Sequence, residues 1–229
     1  MERLRVAKLR GASSVRIFPA VPSASSPDRE LTVKKLWTSD SLELWQAALD
    51  GYEAVVAAQG VARLAELDRW YRSELPAAIV SRQPKHATHD ELVRATEWKM
   101  ARGVWRARNL VLVRGNSPDD VVKASTRALA AVPDARMPIA VMAELAGVGP
   151  ATASAIAAAA APEIYPFFDD LVAAQVPRLG ETAFTIPFYL KYAAAIRDRA
   201  KQLGWTPVQV EQALWANAGG KAGVRDSRT

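Results

Sequence analysis

The string Leu145-Ala146-Gly147-Val148-Gly149-Pro150 constrains this chain more than any other feature. Glycine tolerates left-handed or crowded backbone, so two glycines within three residues can close one helix in a tight turn. The proline that follows suits the first position of another helix, where its missing N–H would have had no partner anyway. The spacing predicts a hairpin of two helices over 138–161, one from Pro138 to Leu145 and one from Pro150 to Ala161. Small residues in the second (Ala153, Ala155, Ala157, Ala158) let the pair approach closely. A turn without side chains also lets an anion come near, toward the free amides at the positive end of the second helix. Gly147, Val148, Gly149, Ala151 and Thr152 are therefore candidate contacts to nucleic-acid backbone, a kind of contact that positions a duplex without reading its sequence. The plain alternative is an ordinary αα-hairpin punctuated by glycine. The longer string, continuing through Thr152-Ala153 to Ile156, is more specific than a lone G-x-G.

The rest of the chain supports an all-α fold. At 229 residues and 50% hydrophobic content it can bury a full core, and no convincing period-2 strand interrupts the helical pattern. We expect a single helical domain over 37–220, flanked by disordered basic tails at 1–36 and 221–229. Ser39 is placed to cap a helix carrying Leu42, Trp45, Leu49, Tyr52 and Val56. A second helix carries Leu64, Leu67, Trp70 and Tyr71 and is expected to stop near Pro76. Thr88-His89-Asp90-Glu91 is a capping-box signature for a helix ending at Gly103, and Ser117-Pro118 opens another that runs to about Ala131. Further helices are expected from about 170, over about 187–203 up to Gly204, and from Thr206-Pro207 to about Ala218. The Ala-rich stretch 153–162 is too short to span a bilayer, so no membrane partner is expected.

Charge sharpens the picture by its location. The net charge is +6, but residues 1–36 hold eight Lys/Arg against three Asp/Glu, and 221–229 hold three against one. The body is near neutral, with a local exception: residues 94–114 carry six basic residues and one acid, Glu97. On the helix of 90–102, Arg94, Trp98 and Arg102 share a face. Lys99, Arg102, Arg106 and Arg108 are candidate phosphate contacts, against the alternative of a plain solvated face. A weaker basic stretch lies at Lys191, Arg197, Arg199 and Lys201. The basic start of the chain also suits a mitochondrial presequence, with a simple basic tail as the competing reading. Nuclear placement is expected, mitochondrial the alternative. No cysteine is present, which excludes disulfides and thiolate-bound zinc or iron–sulfur clusters. His86 and His89 lack an obvious third ligand. No metal and no cofactor is called for.

The turn string resembles the helix-hairpin-helix of the endonuclease III-like superfamily of DNA glycosylases. That resemblance implies a DNA glycosylase-like domain with an essential aspartate after the hairpin, which by the family's spacing falls on Asp169. In those enzymes the aspartate stabilises an oxocarbenium-like sugar or activates water as the N-glycosidic bond breaks. Bifunctional members also carry a nucleophilic lysine directly after the turn, a position held here by Ala151. The resemblance thus implies a monofunctional enzyme, if an enzyme at all. Trp98, Trp105, Tyr165, Phe167 and Phe168 are candidates to stack on a flipped base. Asp169 can equally serve as the N-cap of the helix that follows. A second resemblance covers 64–217 and is to a largely uncharacterised eukaryotic family of animals and fungi. It rests on Leu67-Asp68-Arg69-Trp70-Tyr71, Glu74-Leu75-Pro76, Glu97-Trp98-Lys99-Met100-Ala101-Arg102-Gly103, Gly147–Ala153 and Trp205-Thr206-Pro207. It brings no reaction with it.

Three functions follow. Noncatalytic binding to the backbone of nucleic acid, DNA before RNA, is favoured. A monofunctional DNA base-excision glycosylase of DNA repair, using Asp169, is the alternative, and a protein-interaction scaffold the third.

Overall fold

The computed structural model describes residues 36–221 and 224–225. Expectations for the N-terminal tail fall outside these residues, apart from Leu36, which is buried in the core. The described chain is mostly helical, as its periodicity predicts. In order it forms α1 (Leu42–Asp50), α2 (Tyr52–Ala58), α3 (Leu64–Arg69), a π-helical turn (Trp70–Glu74), α4 (Leu75–Ser81), α5 (His89–Arg102), β1 (Val104–Trp105) and α6 (Ala107–Arg114). There follow α7 (Pro118–Ala130), α8 (Met137–Met142), α9 (Pro150–Ala160), α10 (Asp170–Ala173), α11 (Ile186–Leu203), α12 (Pro207–Asn217) and β2 (Val224–Arg225).

Most boundaries follow the local chemistry. Thr88 and Glu91 form the expected capping box on α5, and Thr206 with Gln209 forms another on α12. Ser117 caps α7, and Gly204 closes α11 with a left-handed φ of 70°. Three expectations are corrected. Ser41, not Ser39, caps α1; the Ser39 side chain accepts from the Ser41 amide, and its carbonyl accepts from the Trp45 indole. Pro76 does not end the second helix. The chain passes through the π-helical turn, where the Leu75 amide reaches back to the Trp70 carbonyl, and Pro76 sits in the first turn of α4. The wider π register absorbs the N–H that proline lacks. Residues 221–229 are not wholly a free tail, because Val224 and Arg225 pair in parallel with Val104 and Trp105.

At the centre stands α9. Every residue from Ala151 to Ala159 is buried, as expected of a helix that is apolar on all sides. Alanine favours the helix intrinsically and keeps its surface narrow, so α4, α5 and α8 all pack against it. Two hydroxyls key it to its surroundings. Tyr71 donates to the Ala155 carbonyl at 2.8 Å, and Ser154 accepts from the Phe168 amide at 2.9 Å, which fixes the loop before α10.

The turn before α9 is clamped to α6. Asn116 donates to the Ala146 carbonyl and accepts from the Ala146 amide, both at 2.9 Å. Gly147 has a φ of +73°, and a Cβ there would lie 2.7 Å from the Asn109 carbonyl and 2.8 Å from the Leu112 Cβ. Its lack of a side chain therefore serves packing against α6. Gly149, by contrast, is exposed, with extended backbone and nothing within 4 Å of a built Cβ. Gly147→Ala should accordingly cost about 1–3 kcal/mol, while Gly149→Ala should stay within about 0.5 kcal/mol of wild type. Urea unfolding of the two variants checks this, and equal losses would contradict the assignment.

Candidate functional site

A cleft of about 200 Å³ opens beside the start of α9. Its walls come from Gly149 to Thr152, from Lys99 and Gly103 at the end of α5, from Val104, Arg106 and Asn109, and from Phe167 to Asp170 with Phe184. Elements distant in sequence converge here because α9 is the shared support. Its first turn forms one wall, and Ser154 on the same helix holds Phe168, which places Asp169 on another.

Asp169 occupies two positions at once. One carboxylate oxygen caps α10, accepting from the Leu171 amide at 2.8 Å and the Val172 amide at 3.4 Å. The other lies 3.4 Å from the Arg102 guanidinium. The side chain is buried, and that burial, opposed by Arg102 and reinforced by Glu211 and Asp170, raises its pKa to about 6. Asp170, next to it, pairs with Lys221.

Behind Asp169 lies a buried ionic network. Arg102, only 1% exposed, pairs with Glu211 of α12, which is 0% exposed. Glu211 also reaches Arg72 at 3.4 Å. The Tyr52 hydroxyl accepts from Arg72 at 2.9 Å and donates to Asp68 at 2.8 Å, and Asp68 also accepts from the Trp98 indole at 2.8 Å. The guanidinium of Arg102 further lies over the rings of Trp215, Phe167 and Trp98. Three carboxylates thus share two guanidiniums in the interior. At Asp169, in the cleft wall, burial outweighs the neighbouring Arg102 charge and raises the pKa.

These positions correct several expectations. Arg102 is no phosphate contact: Glu211 draws the face it shares with Trp98 into the core. The side chains of Val148, Ala151 and Thr152 are all buried, leaving their backbone as the part that could touch a ligand. Lys99 and Arg106 do line the cleft, and Arg108 is exposed outside its lining. Arg94 pairs with Glu66 and lies over the Trp70 ring. Among the aromatic candidates, Trp98 stacks on Tyr71 with centroids 3.5 Å apart, and Tyr165 is fully buried. Phe167 and Phe168 belong to the cleft lining but bury their rings, Phe167 against Trp98 and Phe168 against Phe188, Tyr189 and Tyr192, whereas exposed Trp105 is not in the lining. Among the described residues no cluster of three or more His, Cys, Asp or Glu could hold a metal ion, and no helix is long and apolar enough to cross a membrane.

Sequence reasoning passed over Glu211, Asn109 and Phe184. Glu211 had a legible signal, since with Pro207, Val210 and Leu214 it falls on the apolar stripe of α12. An acid there demands a buried cation. Asn109 and Phe184 had none, because only the tertiary fold brings them to the cleft. Lys99 half-buries its side chain in the cleft wall, and burial together with the charge of Arg106 lowers its pKa to about 8.

No protein-family model, curated protein or solved structure matches this chain.

Arg102→Met should destabilise the fold by about 3–5 kcal/mol, because it removes the closer of the two guanidiniums that balance the buried Glu211 carboxylate, leaving Arg72 at 3.4 Å. Denaturant titration reads this directly, and a loss below about 1 kcal/mol would mean the pair is not structural. Asp169 gives a pH signature. A carboxyl whose pKa rises on folding favours the native state while protonated, so its contribution is present below about 4 and is lost as pH rises through about 6. Asparagine caps helices as well as aspartate does. The Tm of wild type relative to Asp169→Asn should therefore fall between pH 4 and 7, and a pH-independent difference would count against the raised pKa.

Proposed function

We propose that residues 138–161 act as a helix-hairpin-helix that binds nucleic-acid backbone, with DNA as the preferred partner. We further propose that the adjoining cleft receives a nucleotide turned out of the duplex, whose N-glycosidic bond is hydrolysed with the help of Asp169. The observation that carries this reading is the position of Asp169, a buried carboxylate with a pKa near 6 in the wall of a cleft that also contains the start of α9.

The chemistry follows from the residues. The amides of Ala151 and Thr152 lie in the first turn of α9, where no intrahelical acceptor exists, and exposed Gly149 leaves them approachable. A phosphate seated there would meet the positive end of an 11-residue helix, with Arg106 on the opposite wall. An aromatic base entering the cleft would meet the exposed ring of Phe184, and Asn109 offers an amide to its edge. As the base departs, positive charge develops on the sugar in a poorly hydrated space, where a fixed carboxylate is most effective. At neutral pH a carboxylate of pKa 6 is ionised and still basic enough to take a proton from attacking water.

One observation favours a binding-only reading. Asp169 caps α10 and pairs with Arg102, and both roles are structural without any reaction. In that case the cleft would hold a nucleotide without cleaving it.

Binding to a labelled duplex should weaken with salt, log K falling linearly with log salt concentration. Gly149→Leu, which fits its extended backbone but blocks the approach, should weaken binding about tenfold or more, regardless of sequence. Duplexes carrying uracil, hypoxanthine or 3-methyladenine test the reaction: free base released by wild type and not by Asp169→Asn is expected. Salt-independent binding would overturn the backbone reading. Binding without release from any of these duplexes would leave only the noncatalytic form.

A further inference from the structure

A second cavity, of about 350 Å³, shares no lining residue with the cleft. It opens beside α2, α3 and the π-helical turn, with Tyr52, Val56, Ala65, Asp68 and Arg72 among its walls. Asp68 is only 6% exposed, yet half of its carboxylate is unused. Oδ1 accepts from the Tyr52 hydroxyl and the Trp98 indole, both at 2.8 Å. Oδ2 has no partner among the described residues and is not sealed in the interior, so it opens on the cavity that Asp68 lines. Arg72 stands four residues on, its Nε buried 3.8 Å from Asp68 Oδ1 without a hydrogen bond. Its Nη2 serves Tyr52 and Glu211, while Nη1 has no partner among the described residues and is likewise not sealed in. The guanidinium is held over the rings of Tyr52 and Trp98, 5.2 and 5.3 Å from their centroids, so its position is set before any ligand arrives. A nearly buried carboxylate oxygen and a fixed guanidinium, each with bonding capacity left over, call for a ligand that satisfies both.

We propose that this cavity is a binding site for a free α-amino acid with an uncharged side chain, whose ammonium group donates to Asp68 Oδ2 and whose carboxylate accepts from Arg72 Nη1. Three features select that class. The lining sets two acids, Glu53 and Asp68, against two arginines, Arg69 and Arg72, so it favours a ligand of no net charge. Asp68 and Arg72 are neighbours at i and i+4, which suits two opposite charges borne on a single carbon. Val56 and Ala65 offer apolar surface to the ligand's side chain, and the volume falls at the lower end of small-molecule sites, about 300–1,000 Å³. Both bonds are charge-assisted, and so stronger than bonds between neutral groups. The site stands whether or not the cleft binds nucleic acid.

The test is calorimetric titration and thermal unfolding of the full chain with the common L-amino acids of uncharged side chain, each at millimolar concentration. At least one should bind and raise the Tm as its concentration rises. The amine and the acid that lack its other charge (isobutylamine and isovalerate for L-valine) should bind about tenfold or more weakly, and so should γ-aminobutyrate, whose charges stand farther apart. Asp68→Asn keeps an oxygen for Tyr52 and Trp98 but turns a donor toward the cavity, and should weaken binding about tenfold or more. If that variant does not fold, Ala65→Trp decides. Ala65 is exposed and lies outside the ionic network, so an indole there should close the cavity and abolish binding while urea unfolding of the free protein stays unchanged. Binding by none of the amino acids, equal binding by a singly charged control or by γ-aminobutyrate, or binding that survives Ala65→Trp would overturn the proposal.

Discussion

Glu211 has no exposed surface, yet its carboxylate is held by arginines from two other parts of the chain. Such a carboxylate is costly to desolvate, and its attraction to Arg102 and Arg72 has to offset that cost through close geometry. The arrangement specifies more than it stabilises. It admits one relation between α12, α5 and the π-helical turn, because any slip would strand a charge in the interior. The cleft inherits this constraint. Arg102 divides its guanidinium between Glu211 and Asp169, so the carboxylate at the cleft wall is positioned by the same network that registers the helices. Its raised pKa follows from burial, which Arg102 opposes and Glu211 reinforces.

The two glycines of the 145–150 turn have separate physical reasons. Gly147 takes a left-handed conformation against α6, where a Cβ would meet backbone and the Leu112 side chain. Gly149 has room around it and leaves the first turn of α9 uncovered. A single motif thus divides between an inward contact and an outward opening. Asn116 reinforces the inward half by binding both polar groups of Ala146.

How much of this was legible depended on how local each cause is. The caps at Thr88, Ser117, Thr206 and Gly204 are decided within four residues, and they fell where expected. The segment 138–161 was legible for the same reason, as glycine and proline act on their own backbone. Passage through Pro76 was not, because a change of helical register depends on what packs around Trp70 and Tyr71. The inward turn of Arg102 could not be read from α5, since a cationic face looks the same whether water or a carboxylate lies opposite. Only the misplaced acid on α12 pointed to it. Asp169 was reached by a family's spacing rather than by its surroundings; its hydrogen bonds show the cap, and its side chain stands in the cleft wall.

The wide separation of the network's members has a bearing on how the protein is made. Arg102 meets Glu211 across 109 positions of chain, and Gln59 bonds the Gly219 carbonyl across 160. A chain emerging from the ribosome would carry Arg72 and Arg102 long before their shared carboxylate is synthesised. Until α12 arrives, the space they occupy in the finished core must stay open to water, and α1 lacks the helix it packs against. The protein therefore closes late, with its last helix acting as the keystone. A nascent or prematurely ended chain would expose the alanine helix and the aromatic cluster to chaperones, and it would hold no assembled cleft.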